Sequence, residues 1–141
     1  MRYLAIDLGD KRSGLATGDD ETGMAFPAGQ IEIPRTDEAR LVSAIVRAIE
    51  EQGAQALVIG LPVNMDGTEG DAARRARAFG ELLAMKSGLT VQHQDERLTS
   101  FAADQSMARS GRTRGEKKEL RDALAAAEIL KDFLKAQGAK S

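Results

Sequence analysis

The spacing of apolar residues changes character along the chain. Residues 2–8, RYLAIDL, are β-compatible and closed by Gly9, which predicts a strand. Within it Leu4, Ile6 and Leu8 point one way and Tyr3, Ala5 and Asp7 the other. GDKRSG (9–14) supplies a turn, and a second strand beginning at Gly14–Thr17 makes a hairpin. A third strand is read at 28–34, with IEI before Pro34. The period then becomes helical: Leu41, Val42, Ile45, Val46 and Ile49 share one face, with Thr36 as the N-cap and Gly53 as the stop. ALVIGL (56–61) is a continuous apolar run, the pattern of a strand buried on both faces. PVNMDGTEG (62–70) is a loop by composition. Residues 71–86 read as a second helix with Ala72, Ala76, Phe79, Leu82 and Leu83 inward, and LTVQH (89–93) as a fifth strand. A short helix at 99–109, a mobile basic loop at 110–118 and a last helix at 119–136 complete the chain.

This order predicts an α/β fold, a five-stranded mixed sheet flanked by helices on both faces. The 141 residues suit one domain, read as 1–137 with a frayed tail at 138–141. No cysteine is present, which removes disulfide, zinc-thiolate and Cys-nucleophile chemistry. No signal-like segment or membrane-length apolar run occurs, so a cytoplasmic protein without membrane contact is expected. The net charge of −2 gives no global attraction to a polyanion. Aromatic residues are 4% of the chain, too few for a base-stacking platform.

Three acids stand in costly places. Asp7 lies in the strand expected at the centre of the sheet, where an unpaired carboxylate costs several kcal/mol or shifts its pKa. Asp122 falls on the apolar stripe of the last helix with Ala125, Ala126, Ile129, Leu130, Phe133 and Leu134, in what reads as the first turn. Glu96, in QDERLTS, follows the fifth strand, and ligands in such sheets collect at strand ends. Hard oxygen donors from distant parts of a chain suit Mg²⁺ or Mn²⁺. Two such ions, weakly held without substrate, activate water and stabilise the leaving oxygen of a phosphodiester. Each acid alone also has a plain reading: Asp7 as a turn former, Asp122 as an N-cap, Glu96 as an ion-pair partner of Arg97 or Arg121.

Four blocks, DLGDKRSG (7–14), GLPVNMDGTEG (60–70), DERLTS (95–100) and RDALAAAEIL (121–130), strongly resemble the YqgF family of bacterial proteins. Members of that family carry the names pre-16S ribosomal RNA nuclease and Holliday junction resolvase. The resemblance covers nearly the whole chain. It implies a ribonuclease H-like fold and metal-dependent hydrolysis of phosphodiesters in structured RNA, such as pre-16S ribosomal RNA, or in branched DNA. It places the catalytic and metal-binding acids at Asp7, Glu96 and Asp122. Ser100 stands where Thr is common. TGDDETG (17–23) is more acidic than expected, with Asp19 matching a frequent acid.

Further candidates surround these acids. Lys11 and Arg12 are placed to clamp a phosphate, or are solvated turn charges. Asn64, Asp66 and Gly67 precede a helix start that suits phosphate, or form a plain turn. Arg97 orients Glu96, contacts substrate or makes a surface ion pair. Arg112 and Arg114, with Arg109, Lys117, Lys118 and Arg121, read as a basic arm that closes on a polyanion, or as a solvated loop. His93, the single histidine, reads as structural. No dimer patch is evident, so a monomer or weak homodimer is expected. Two other classes compete: an ATP-binding protein of sugar-kinase type, for which a second lobe is needed, and a non-catalytic nucleic-acid-binding factor.

Overall fold

A computed structural model describes residues 1–96 and 114–140. The chain opens with β1 (Arg2–Leu8), β2 (Ser13–Asp19) and β3 (Met24–Ile31), followed by α1 (Glu38–Gln52) and β4 (Ala56–Leu61). Then come α2 (Asp71–Ser87), β5 (Val91–Asp95) and the long helix α3 (Arg114–Lys140). The five strands form one sheet in the order β3-β2-β1-β4-β5. The β1–β2 and β2–β3 pairs are antiparallel, and β1–β4 and β4–β5 are parallel. The sheet is therefore mixed, with β1 at its centre and the carboxyl ends of β1, β4 and β5 at one edge.

Helices cover both faces. Leu4, Ile6, Leu15, Leu57 and Ile59 pack against Leu41, Ile45 and Ile49 of α1 and Phe79 and Leu83 of α2. On the opposite face Tyr3, Ala5, Ala16, Ala56 and Val58 pack against Ala126, Ile129, Leu130, Phe133 and Leu134 of α3. The Tyr3 ring meets Phe133 edge-on at 5.2 Å between centroids. Its hydroxyl donates to Gln137 Oε1 at 3.3 Å. This contact pins the carboxyl half of α3 to the start of β1, so α3 runs antiparallel to β1 and its earlier residues reach the other end. None of the described helices is long and apolar enough to cross a membrane.

Several boundaries differ from the sequence reading. β3 spans Met24–Ile31 rather than 28–34. Pro27 and Gly29 argue against a strand interior, but β3 is an edge strand, where a missing ladder donor is tolerated. Asp37, not Thr36, occupies the cap position of α1. Ala73, not Ala72, is buried in α2. β5 lies two residues later than 89–93, at Val91–Asp95, which puts Glu96 directly at its end. The last helix begins at Arg114 and continues through Lys140, so residues 114–118 of the expected loop are helical. The predicted helix at 99–109 and the rest of that loop lie outside the described residues.

A candidate active site at the carboxyl edge of the sheet

Asp7 is the last β1 residue but one, and it faces α3. It pairs with Gly14 of β2, so it belongs to the strand and not to the turn. Gly14 has no side chain to hold α3 away: a Cβ there would overlap the backbone carbonyl of Asp122. The missing methyl thus sets how closely α3 approaches β1. On the other side of β1 stands Gly60 of β4. A Cβ at Gly60 would collide with Glu96 Oε2 and lie 2.6 Å from Ile129 Cδ1. The Glu96 carboxylate folds back over β4 through that gap and reaches Asp7. Its backbone N–H donates to the Leu61 carbonyl at 3.3 Å, which extends the β4–β5 pairing by one step. Two glycines therefore flank the central acid, and each admits one of the other two.

The electrostatics record this convergence. Burial pushes the Asp7 carboxyl up, a hydrogen bond with Glu96 pulls it partly back, and the negative charge of Asp122 raises it further. Glu96 is pushed up to about 8, first by burial, then by the charge of Asp7 and the hydrogen bond with it, and last by Asp95. Two carboxyls in hydrogen-bond contact share a proton, because like charges this close cannot both ionise freely. Asp122 is neutralised differently. Arg12 Nε donates to Asp122 Oδ2 at 2.7 Å. Asp122 lies eight residues into α3, so it is neither an N-cap nor in the first turn. The compensation expected from a helix start is absent, and Arg12 supplies the counter-charge.

Hard oxygen donors held together against their mutual repulsion fit a divalent cation. Asp7, Glu96 and Asp122 are the side chains that would hold it. Among the described residues, no three His, Cys, Asp or Glu side chains form a closed ligand set. Asp7 and Glu96 face each other, while Asp122 is engaged by Arg12.

The remaining candidates are less uniformly placed. Lys11 is exposed in the β1–β2 turn. Asn64 lies in the β4–α2 loop, where Nδ2 donates to Thr68 Oγ1 at 3.0 Å. Asp66 accepts from the Thr68 backbone and hydroxyl, so this loop is an internally bonded turn. Arg97 and Arg112 lie outside the described residues. Arg114 begins α3, about 12 Å of helix rise before Asp122. Arg74 pairs with Asp71, and Arg77 with Glu69, on the exposed side of α2. His93 packs against Gly80, and burial lowers its pKa. Gly14 and Gly60 were not singled out from the sequence. A glycine inside a strand pattern signals close approach of another group, and both carried that signal.

Comparisons with known proteins agree with this fold. The model of a family described as "RuvX: Holliday junction resolvase" matches residues 1–136. A protein of Anaeromyxobacter sp. (strain Fw109-5), named "Putative pre-16S rRNA nuclease", is 45% identical over 134 residues, covering 95% of this chain and 96% of the relative. The Thermus thermophilus RuvC structure superposes with a TM-score of 0.57 at 16% identity, covering 99% of this chain and 97% of that one. The Fowlpox virus resolvase, solved with Holliday junction DNA, gives 0.61 at 10% identity, covering 97% and 99%. At such identities the two structures share a fold with this chain and nothing finer.

Proposed function

Because this chain belongs to the RuvX family, we propose that it is a metal-dependent nuclease cleaving phosphodiester bonds in structured nucleic acid. Its five-stranded mixed sheet with helices on both faces is ribonuclease H-like. The observation that carries the reading is the Asp7–Glu96 carboxyl pair, hydrogen-bonded within the field of Asp122. Nothing in the packing of the fold requires three acids at one strand edge.

Asp7, Glu96 and Asp122 would hold Mg²⁺ or Mn²⁺, as a pair of ions. When bound, the ions supply Lewis acidity to the phosphate and lower the pKa of the attacking water. The chain's residues do the remaining work. Gly14 and Gly60 keep the space through which the outer acids reach Asp7. Lys11 and Arg12, on the turn beside the acids, bind phosphate oxygens. From the sequence alone, Arg97, Arg112 and Arg114 are assigned to the same task of binding the nucleic-acid backbone. Asn64 orients the β4–α2 loop beside the site.

The substrate we favour is the 5′ leader of pre-16S ribosomal RNA, in the cytoplasm, with the protein acting as a monomer or weak homodimer. The names of the relatives at high coverage support RNA. The family description supports a four-way DNA junction as the second reading, and a symmetric dimer would serve that substrate. The deciding experiment offers purified protein with Mn²⁺ both substrates side by side. Cleavage of the leader, lost in Asp7→Asn, is the expected result. Cleavage of the junction alone overturns the RNA assignment. Equal cleavage by wild type and Asp7→Asn overturns the catalytic role of the acids.

A further inference from the structure

The Arg12–Asp122 contact sits inside the site and joins residues 110 positions apart. The two side chains are 27% and 21% exposed, far less than a surface ion pair. Both residues stand on closely packed backbone. A Cβ on Gly9 would overlap the Arg12 carbonyl, so the turn is folded tightly beneath Arg12. Gly14 packs in the same way against the carbonyl of Asp122. Asp7 and Glu96 already satisfy each other through their hydrogen bond. A divalent cation held by Asp122 would compete with the Arg12 guanidinium for that carboxylate, and the two would repel each other.

We infer that Arg12 is an exchangeable counter-ion: it holds Asp122 while no cation is bound, and cation entry releases its guanidinium to the phosphate backbone of the nucleic acid. This rests on the reading of Asp7, Glu96 and Asp122 as cation ligands. Arg12 is then a positioning residue in one state and a substrate ligand in the other. A guanidinium is suited to both, since its planar fork matches carboxylate and phosphate alike. The consequence is positive coupling: cation binding frees a group that the nucleic acid needs, and by linkage nucleic acid strengthens cation binding. Among the described residues exposed Lys11 is paired with no carboxylate, and it contributes equally in both states.

The test measures binding rather than cleavage. Mn²⁺ affinity is read by titration calorimetry on wild type and Arg12→Gln. Affinity for a labelled RNA stem–loop is read by anisotropy in EDTA and in Ca²⁺. Arg12→Gln should bind Mn²⁺ about five- to tenfold more tightly than wild type. Its RNA affinity should fall about tenfold in Ca²⁺ and little in EDTA, whereas Lys11→Ala should lower it equally in both. Equal or weaker Mn²⁺ binding by Arg12→Gln, or an RNA deficit independent of Ca²⁺, overturns the exchange alone. No Mn²⁺ binding by wild type overturns the cation reading and the exchange with it. If circular dichroism shows Arg12→Gln unfolded, Asp122→Asn carries the test. A neutral amide frees Arg12, so RNA affinity in EDTA should rise, and Arg12→Lys added to it should keep most of that rise. No rise overturns the proposal.

Discussion

Successive residues of β1 face opposite sides of the sheet, and the two sides are built from different materials. Towards α1 and α2 stand Leu4 and Ile6, joined by Leu15, Leu57 and Ile59. Towards α3 stand Tyr3, Ala5 and Asp7, joined by Ala16, Ala56 and Val58, with Gly14 and Gly60 beside the acid. The first face is filled by large branched side chains that remove apolar area from water. The second is lined by small residues, so the α3 backbone comes down onto the strands. That closeness brings Asp122 into the field of Asp7. One face contributes stability through volume; the other sacrifices some of it to bring carboxylates together.

The comparison breaks most sharply at Asp7. Loss of a cation ligand costs more than loss of the groups behind it, which are worth 10–100-fold. Asp7→Asn should therefore lower Mn²⁺-dependent cleavage by more than about 100-fold. It should also raise the ion-free melting temperature, because a buried carboxyl repelled by Asp122 is replaced by a neutral group. A fall in melting temperature would assign Asp7 to the scaffold, and the contrast between the faces would disappear.

The reciprocal variant lies in α1. Ile45 is fully buried among Leu4, Ile6 and their partners. Ile45→Ala should cost about 2–5 kcal/mol in chemical denaturation. Cleavage per folded molecule should stay at the wild-type level. A large drop in turnover at full folding would show that the α1 and α2 face shapes the site after all.

How much of this was readable in advance follows from the range of the interactions. The bounds of β1, with Asp7 near its end, and the helical stripe of α3 are local patterns, and both were legible. The beginning of α3 was not. SGRTRGEKK carries two glycines and dense charge, which reads as loop. Yet Arg, Glu and Lys are good helix formers, and the helix begins at Arg114. That shift turned Asp122 from a supposed first-turn acid into one inside the helix. β3 was displaced because Pro27 and Gly29 break a strand pattern everywhere except at an edge. The Arg12–Asp122 pair and the glycine gaps depend on residues brought together by the complete fold, and no periodicity announces them.

Ile59 and Gly60 sharpen the contrast within two adjacent residues. Ile59 faces α1 and α2, and Gly60 opens towards α3. Ile59→Val should cost about 0.5–1.5 kcal/mol of stability and leave turnover intact. Gly60→Ala should cost about 1–3 kcal/mol through overpacking and also displace Glu96. Misplacing a reacting group by an ångström can cost about 100-fold in rate, so turnover should fall on that order. Matching turnover in the two variants would mean that the Gly60 gap does not position Glu96.

The smallest effect is one of sign in the dependence of stability on pH. Glu96 rises from 4.5 to about 8, chiefly through burial. The folded protein therefore holds a proton that the unfolded chain has released, and ion-free stability is lost as pH rises from about 4.5 through 8. His93, against α2, is shifted the other way: burial, then Arg77, lowers it from 6.5. There the unfolded chain binds the extra proton, so stability is lost as pH falls below about 6.5. The two contributions thus oppose each other below about pH 6.5, and above it only the carboxyl side acts. In EDTA, the loss of stability with rising pH should be smaller in Glu96→Gln than in wild type, because the Glu96 contribution is gone while those of Asp7 and His93 remain. Saturating Mn²⁺ should stabilise wild type more at pH 8 than at pH 5, since it takes the ionised carboxylates. Parallel pH curves for wild type and Glu96→Gln would show that Glu96 holds no extra proton in the folded state, and the acid side of the contrast would fail.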